Sequence, residues 1–584
     1  VIVVGISALY HDSACAVLID GRLAAAAQEE RFTRRRYDAS MPAHAFRACL
    51  RQAGIGIADI DRVAYYEDPV ARLGRQLWNG LPELPQSSPE TLFRLDADRP
   101  FREIRELLGY SGEVVPVTHH ESHAASAFYF SGFAESALLT ADAVGEWTTT
   151  SYGRAGPDGI ELFEEVAFPD SLGLFYSALT SYLGFEVNSD EYKVMGLAPY
   201  GEGTCAETLR TLVADLPGGQ FRLDPEYFDF RRPDRMYTDA LADLLPVAPR
   251  RPDDEIETVH QDLARSLQIV LEEILLAKAR HLHERTGSEN LSYAGGVALN
   301  CVANTRLRRD GPFRDLFVPP AAGDAGGCVG AAALVHHRLT GTYVRERMTD
   351  ARLGPAYPAD EVRAGLDIAG VPYLAFAGDE TGLLDTAAEL LAGGEIIGWF
   401  QGRMEFGPRS LGARSILADP RDSRMRDRIN ALVKKRESFR PFAPAVAADR
   451  CPEFFAWTGP APFMLDTARV LDPAALPAIS HVDGSARLQT VDAAVDPRFH
   501  GLLTAFGKRT GYPILLNTSF NVRGEPIVCT PADALAAFVR CGLDALVLGD
   551  LLVRARDLPD GWDRLVGLIP ASPPRERTTV YSFV

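Results

Sequence analysis

No apolar run in this sequence approaches the roughly 20 residues that a membrane-spanning helix needs, and no two of its eight cysteines form a Cys-x-x-Cys pair. Eight scattered thiols in 584 residues (Cys15, Cys49, Cys205, Cys301, Cys328, Cys451, Cys529, Cys541) argue against a zinc ribbon and a disulfide scaffold and suit a reducing cytoplasm. Positive charge is also scarce: 60 Lys and Arg face 79 Asp and Glu, a net charge of -19. That balance opposes non-specific binding to nucleic acid or anionic lipid, so small molecules are the expected partners. Neither a Walker loop nor a G-x-G-x-x-G appears. The opening VIVVGISALY lacks a basic lead and soon meets His11 and Asp12, so it reads as a first β-strand and not as a signal peptide. What is present is ample core material: 46% hydrophobic residues over a length that suits two to four domains.

Residues 1–27 read as a meander, with Asp20-Gly21 as a hairpin turn and the His11-Asp12 loop at one tip. A related pattern recurs where ALLTAD ends at Asp142, turns through Gly145, continues in a threonine-rich strand and turns again at Asp158-Gly159. Two such hairpins suggest an internal duplication. From 260 to 340 the pattern becomes α/β, with a long amphipathic helix and two strand-to-glycine-loop-to-helix units. Periodicity fades in TGTYVRERMTDARLGPAYPADEV, which predicts a boundary near 345–360, and the remainder restarts as an independent domain. The expected organisation is therefore 1–350 and 351–584. Polar stretches near 67–100 and 202–258 read as substrate loops or as plain surface insertions.

The segment VTHHESHAASAFYF carries three of the chain's 12 histidines. Thr118 and Glu121 form a T-x-x-E capping box that starts a helix at His119 and sets His119 and His123 one turn apart on one face. That is metal-ligand spacing, and the positive end of a helix disfavours protonation of both rings. His120, about 100° around the helix, is a neighbour or substrate contact. Surface or core histidines would show the same spacing, so further ligands are required. Asp142 at the end of a strand and Asp324 in AAGDAGG supply two carboxylates at loop mouths, where caps and turns are the alternative roles. Two imidazoles with two carboxylates suit iron, manganese or zinc. AGGVALN and AGDAGGCVG each lead into a helix whose bare N-terminus can cradle phosphate, or simply pack tightly. Residues 402–440 hold eleven Lys and Arg against five Asp and Glu, a local +6 inside an acidic chain. Arg409 and Arg414 in a glycine-rich turn, with Lys434 and Arg440 at a helix end, form a candidate phosphate cradle. A solvated helix face explains Arg424, Arg428 and Lys435 equally well.

Ten motifs in order, YHDSA, EERFTRRRYD, HHESHAASA, DAVGE, EYKVMGLAPYG, AGGVALN, PPAAGDAGG, GPRSLGARS, RPFAP and LNTSFNVRGEPIV, together resemble the O-carbamoyltransferases of the NodU/CmcH type, from the first strand to about residue 550. The resemblance implies an α/β protein: an N-terminal duplicated domain of the actin, Hsp70 and sugar-kinase fold (Kae1-like), followed by a YrdC-like α/β domain. It also implies a relay. The C-terminal domain takes phosphate off carbamoyl phosphate, the freed carbamate passes internally to the first domain and attacks ATP, and the carbamoyl group of the resulting carbamoyl adenylate moves to a substrate hydroxyl.

Carried onto this sequence, the resemblance makes His119, His123, Asp142 and Asp324 metal ligands. It puts His11 beside the carbamoyl group, with Asp12 as candidate base for the acceptor hydroxyl. Lys193, Gly295, Gly296 and Asn300 fall in nucleotide-binding segments, and Arg409, Arg414, Lys434, Arg440, Arg487, Asn517 and Arg523 match the carbamoyl phosphate cradle. The cofactors implied are ATP and a divalent metal, Fe2+ first with Mn2+ or Zn2+ as alternatives, and Mg2+ accompanying ATP. The acceptor expected is a hydroxyl of a natural product: an antibiotic macrolide, ansamycin, aminoglycoside or sugar. No nucleic acid or membrane partner is expected, the location is cytoplasmic, and a homodimer is compatible with the sequence. The competing readings are an actin-like ATP-binding scaffold or chaperone, which needs neither H-x-x-x-H nor the arginine cradle, and a tRNA threonylcarbamoyl transferase, which the net acidity opposes. A metalloprotease would need the glutamate of H-E-x-x-H, which is missing here.

Overall fold

A computed structural model describes residues 1–80, 95–231, 235–431, 437 and 439–568. Two compact units emerge: one from Val1–Glu29 with Ala39–Met348, the other from Thr349 onward together with Glu30–Asp38.

The first unit is one topology used twice. Strands β1 (Ile2–Ser7), β2 (Ala14–Ile19) and β3 (Arg22–Gln28) form the meander, and β4 (Arg62–Tyr65) and β5 (Val114–Pro116) follow through helical crossovers. β1 is antiparallel to β2 and parallel to β4, giving the order β3-β2-β1-β4-β5. The second sheet repeats this with β6 (Ser136–Ala141), β7 (Thr148–Gly156) and β8 (Gly159–Ala167), a small side hairpin of β9 (Val213–Asp215) and β10 (Phe221–Leu223), then β11 (Asn290–Ala294) and β12 (Asp315–Phe317). Its order is β8-β7-β6-β11-β12, with β6 antiparallel to β7 and parallel to β11. The helices match as well. Ala43–Ala53, Pro69–Gly80 and His119–Phe128 occupy the places that Thr258–Thr286, Cys301–Asp310 and Gly327–Thr340 occupy in the repeat. The duplication suggested by two hairpins thus extends through the whole unit, as the actin, Hsp70 and sugar-kinase resemblance implies.

Local chemistry explains the turns. Asp20 and Gly21 both have positive φ, 49° and 79°, the pairing a tight two-residue hairpin demands. Thr118 accepts from the Glu121 N–H while Glu121 reaches back to the Thr118 N–H, which closes the expected capping box and starts the His119–Phe128 helix. Small residues set the core spacing. A Cβ on Gly5 of β1 would lie 1.8 Å from the Cys328 carbonyl, and one on Gly330 would lie 1.8 Å from the Ser122 carbonyl. The Gly327–Thr340 helix is therefore pressed between β1 and the histidine helix with no room for a methyl group.

The second unit folds on a nine-stranded mixed sheet in the order β13-β21-β20-β14-β15-β19-β16-β18-β17. Its strands are β13 (Leu374–Ala375), β14 (Ile397–Phe400), β15 (Arg414–Ala418), β16 (Ala443–Ala447), β17 (Asp466–Arg469), β18 (Ser485–Val491), β19 (Ile514–Ser519), β20 (Ala545–Leu548) and β21 (Leu551–Arg554). The segment Glu30–Asp38 completes it. Phe32 packs on Met404, Ile527 and Cys529; Arg31 donates to the Gly407 carbonyl at 2.8 Å; and Arg34 donates to the Ile527 and Pro526 carbonyls, each at 2.7 Å. All eight cysteines are buried free thiols, and among the described residues no helix is long and apolar enough to cross a membrane.

Gly330→Ala tests the helix sandwich. Helix propensity alone favours alanine by about 1 kcal/mol, but overpacking against backbone costs about 1–3 kcal/mol and here meets a carbonyl that cannot swing aside. The expected outcome in thermal unfolding is a lowered Tm; an unchanged or raised Tm would contradict the packing.

Candidate functional site

In open α/β sheets, chemistry collects where parallel strands end. The first unit follows that rule in both repeats. The exit of β1 carries His11 and Asp12, that of β5 carries His119, and those of β6, β11 and β12 carry Asp142, Gly295-Gly296 and Asp324.

His119, His123, Asp142 and Asp324 come together, buried, with one donor atom from each lying within 4.8 Å of the others. The two Nε2 atoms are 2.9 Å apart, and each is 3.1 Å from Asp142 Oδ2 and 3.6 Å from Asp324 Oδ1. Two ring nitrogens cannot sit that close with both lone pairs facing; a proton or a cation belongs between them. For metal–ligand bonds of about 2.1 Å, neighbouring donors on an octahedron stand about 3.0 Å apart and on a tetrahedron about 3.4 Å. The distances here bracket both, so the donor set fits a divalent ion. Neither Nδ1 has a hydrogen-bond acceptor among the described residues, so the outer support usual for metal-bound histidine is missing.

Electrostatics overturn one expectation. The helix N-terminus was to keep the rings neutral, yet the carboxylates win. Burial pulls the His119 pKa down, but the hydrogen bond to Asp142 and the Asp324 and Asp142 charges outweigh it and hold His119 up at about 9. His123 is raised against burial by the same two carboxylates. Asp142 falls well below the usual range, its burial outweighed by its histidine hydrogen bonds. His120 differs: its Nδ1 meets Thr140 Oγ1 at 2.6 Å, and burial pushes its pKa well down, so it is a neutral strut to β6.

The same carboxylate reaches the glycine turn. Asp142 Oδ1 accepts the Gly296 N–H at 3.0 Å. Gly295, at φ 99°, leaves a Cβ only 2.2 Å from the Ala141 carbonyl, so only glycine serves there. Asn300 caps the following helix through the Ala303 N–H and exchanges amide hydrogen bonds with Gln268. Lys193 pairs with Asp190 at 2.8 Å. His11 Nε2 is 2.9 Å from the Asn188 carbonyl, and Nδ1 is 3.1 Å from Asp12 Oδ2. Since a carbonyl only accepts, Nε2 is the donor in that contact. Glu146, in the DAVGE motif, was not expected as a member of the site. Its Oε1 accepts from both the His119 N–H (2.9 Å) and the Asp68 N–H (2.7 Å), so it holds the start of the His119–Phe128 helix.

In the second unit, Glu405 Oε1 accepts the N–H groups of Leu411, Ala413 and Arg414 at 2.8–3.0 Å and so shapes the turn that carries Arg409. Gln489 donates to the Leu411 carbonyl at 2.7 Å and accepts from Asn517 at 2.8 Å. Arg487 stands two residues from Gln489 on β18 and so shares its face. Asn517, buried on β19, has its Oδ1 without a hydrogen-bond partner among the described residues; the oxygen is assigned from the network. Arg440 sits 3.5 Å from Glu437, and Arg523 is exposed beyond β19. Lys434 lies outside the described residues. Arg414 departs from the expected cradle. Fully buried, it opens β15 instead of lying in the turn, donates to the carbonyls of Gln401, Gly402, Ala413 and Pro355, and lies 3.6 Å from the Phe400 ring centroid. It braces the turn from beneath. Gln489 and Glu405 carry no sequence signal, because both are neighbours only across the sheet or turn.

Two family models match the chain: "Carbamoyltransferase N-terminus" over residues 2–77 and 105–333, and "Carbamoyltransferase C-terminus" over 388–555. An uncharacterized protein of Synechocystis sp. is 42% identical over 94% of this chain and 96% of its own length. The nodulation protein NolNO of Sinorhizobium fredii is 40% identical over 96% of this chain and 81% of its own length. A 3'-hydroxymethylcephem-O-carbamoyltransferase of Amycolatopsis lactamdurans is 34% identical over 44% of this chain and 48% of its own.

Two measurements check this geometry. In metal-free protein, a His119 pKa raised above the ordinary 6.5 to about 9 contributes stability that is full below about pH 6.5 and lost as pH rises through 9. A divalent ion competes with that proton, so the Tm increase on adding Mn2+ or Zn2+ should be larger at pH 9 than at pH 6.5, and His119→Ala should weaken ion binding by about a hundredfold or more. In the second unit, Glu405→Ala should cost about 3 kcal/mol in urea unfolding by orphaning buried N–H groups, with Glu405→Gln retaining most of the stability.

Proposed function

The chain belongs to the carbamoyltransferase family, and from that premise we propose an ATP-dependent O-carbamoyl transfer run by two sites. In the second unit, carbamoyl phosphate is hydrolysed to carbamate and phosphate. Arg409, Arg440, Arg487 and Arg523, with Lys434, hold the phosphate dianion, and the unpartnered Asn517 Oδ1 accepts from the carbamoyl NH2 group. Arg414 acts through the turn it supports. This second unit is read as YrdC-like.

In the first unit, a carbamate oxygen attacks the α-phosphorus of ATP and pyrophosphate leaves, giving carbamoyl adenylate. Lys193, Gly295, Gly296 and Asn300 hold the nucleotide, with bare N–H groups at the glycine turn. His119, His123, Asp142 and Asp324 would hold a divalent ion, which would supply Lewis-acid charge to phosphate oxygens; Fe2+ is the first candidate, with Mn2+ or Zn2+ as alternatives. Transfer follows. The acceptor hydroxyl oxygen bonds to the carbamoyl carbon, the bond from that carbon to the AMP oxygen breaks with its electron pair on AMP, and the hydroxyl proton passes to Asp12. His11, carrying its proton, stabilises the oxyanion that develops on the carbamoyl oxygen.

The observation that carries this reading is Asp142, whose one carboxylate meets both histidines with Oδ2 and the Gly296 N–H with Oδ1. A metal site joined to a nucleotide turn is what adenylation requires and a protease does not; against a scaffold stand the H-x-x-x-H pair and the arginine cradle. Antibiotic or other natural-product tailoring is the role that fits, in line with the cephem O-carbamoyltransferase among the relatives.

Incubation with ATP, carbamoyl phosphate and Mn2+, Fe2+ or Zn2+ should give carbamoyl adenylate and AMP by mass spectrometry. Product with none of these ions would sink the adenylation reading. His11→Asn should lose transfer by about two orders of magnitude or more while still binding ATP.

A further inference from the structure

The Thr258–Thr286 helix buries an apolar face that includes Leu263, Leu267, Leu271 and Leu275, yet the same helix also buries Gln268 and Glu272. Gln268 is 0% exposed and Glu272 6%. Packing alone asks for an apolar side chain at both places, because a buried amide or carboxylate is costly unless its donors and acceptors are met. The two residues stand one turn apart and so share a side of the helix. What meets them there is Asn300, at the end of the short turn that begins with Gly295-Gly296.

Gln268 uses its whole hydrogen-bonding capacity on this network. Its Oε1 accepts from the Tyr176 hydroxyl at 3.2 Å and from Asn300 Nδ2 at 3.0 Å. Its Nε2 donates to Glu272 Oε1 at 2.9 Å and to Asn300 Oδ1 at 3.1 Å. Arg306 stands 3.5 Å from the other Glu272 oxygen, the countercharge of a carboxylate that can only accept, so Glu272 dictates which end of the Gln268 amide is nitrogen. At the far end of the chain of bonds, the Ala303 N–H donates to Asn300 Oδ1 at 3.0 Å. A carboxylate at one end and a backbone N–H at the other thus fix the direction of both amides between them.

Depth separates the roles of these residues. Asn300 is half-buried, whereas Gln268, Glu272 and Tyr176 are buried beneath it. Both lone pairs of Asn300 Oδ1 are taken and one N–H goes to Gln268, so the side chain can offer a ligand only its second N–H. Asp142 holds the Gly296 end of the turn beside the two histidines. Asn300 lies four residues farther on, about 8 Å along a 3₁₀ turn. Phosphates held at the Gly296 end therefore put the nucleoside at the Asn300 end.

We propose that Gln268 is a positioning residue for the nucleotide: held by Glu272 and Tyr176, it locks the Asn300 amide so that the second Asn300 N–H meets an acceptor atom of the nucleoside. The inference rests on the ATP-dependent reading above and adds to it the buried residues that set how the nucleoside is held.

The test uses the full chain with Mn2+ and reads the affinities for ATP and for inorganic tripolyphosphate by calorimetry. Gln268→Leu should raise the ATP dissociation constant about tenfold and leave that of tripolyphosphate within about twofold. Asn300→Ser keeps the helix cap and removes the amide; in that background Gln268→Leu should add less than about twofold, because its effect runs through Asn300. Glu272→Gln conserves volume and serves where Gln268→Leu fails to fold: a rise of roughly threefold for ATP, lost in the Asn300→Ser background. ATP affinity that neither variant alters, equal losses for tripolyphosphate, or losses that add in the double variants would overturn the proposal. Carbamoyl adenylate formation by the unaltered chain judges the function reading separately, since adenylate can form while Gln268 proves idle, and the Gln268–Asn300 coupling can appear where no adenylate forms. A chain that binds no ATP overturns both.

Discussion

One carboxylate organises the first unit. Asp142 stands at the end of a fully buried strand, gives one oxygen to two histidines from another element and the other to a backbone N–H at a third. Each partner comes from a different strand exit, so the side chain fixes three loops at once. Without positive charge between them, the two Nε2 atoms and the carboxylates would form an unstable cluster. The fold meets that condition with a proton held to about pH 9 on His119, which a divalent ion can replace.

The sheet topology explains why such distant residues meet. His11, His119, Asp142, Gly295 and Asp324 spread over more than three hundred positions, but all follow strands of two sheets built to one plan. The second unit reaches the same end by another route. There a buried carboxylate, Glu405, gathers three N–H groups, and a buried cation, Arg414, gathers carbonyls beneath the same turn. Opposite charges pull one short loop, the one that also carries Arg409, into shape from two sides.

Much of this was legible in the sequence, and the boundary between legible and hidden is physical. Local rules carried the meander, the Asp20-Gly21 turn, the capping box of Thr118 and Glu121 and the Thr258–Thr286 helix, because each is settled by residues a few positions apart. The candidate quartet of His119, His123, Asp142 and Asp324 needed the order of motifs along the chain, since spacing alone left His119 and His123 open. Hidden were the partners chosen only by tertiary packing. Glu146 binds two backbone amides far from it in sequence, and Gln489 meets Asn517 across the sheet. Arg414 shows the opposite error. A guanidinium near glycines reads as an anion ligand, but its burial on carbonyls and an aromatic face cannot be seen without the fold.

The nine residues Glu30–Asp38 leave the first unit and complete the second. They are synthesised long before Ile527, the carbonyl Arg34 will occupy. During translation Phe32 and Arg34 therefore wait, one apolar and one charged, for a surface that does not yet exist. The second unit cannot finish its own core from its own contiguous stretch of chain, and a nascent polypeptide that stops short of it leaves a tethered loose end in the first. Synthesis order thus leaves the second unit structurally incomplete until nearly all of its chain has emerged, although one of its pieces is among the first residues made.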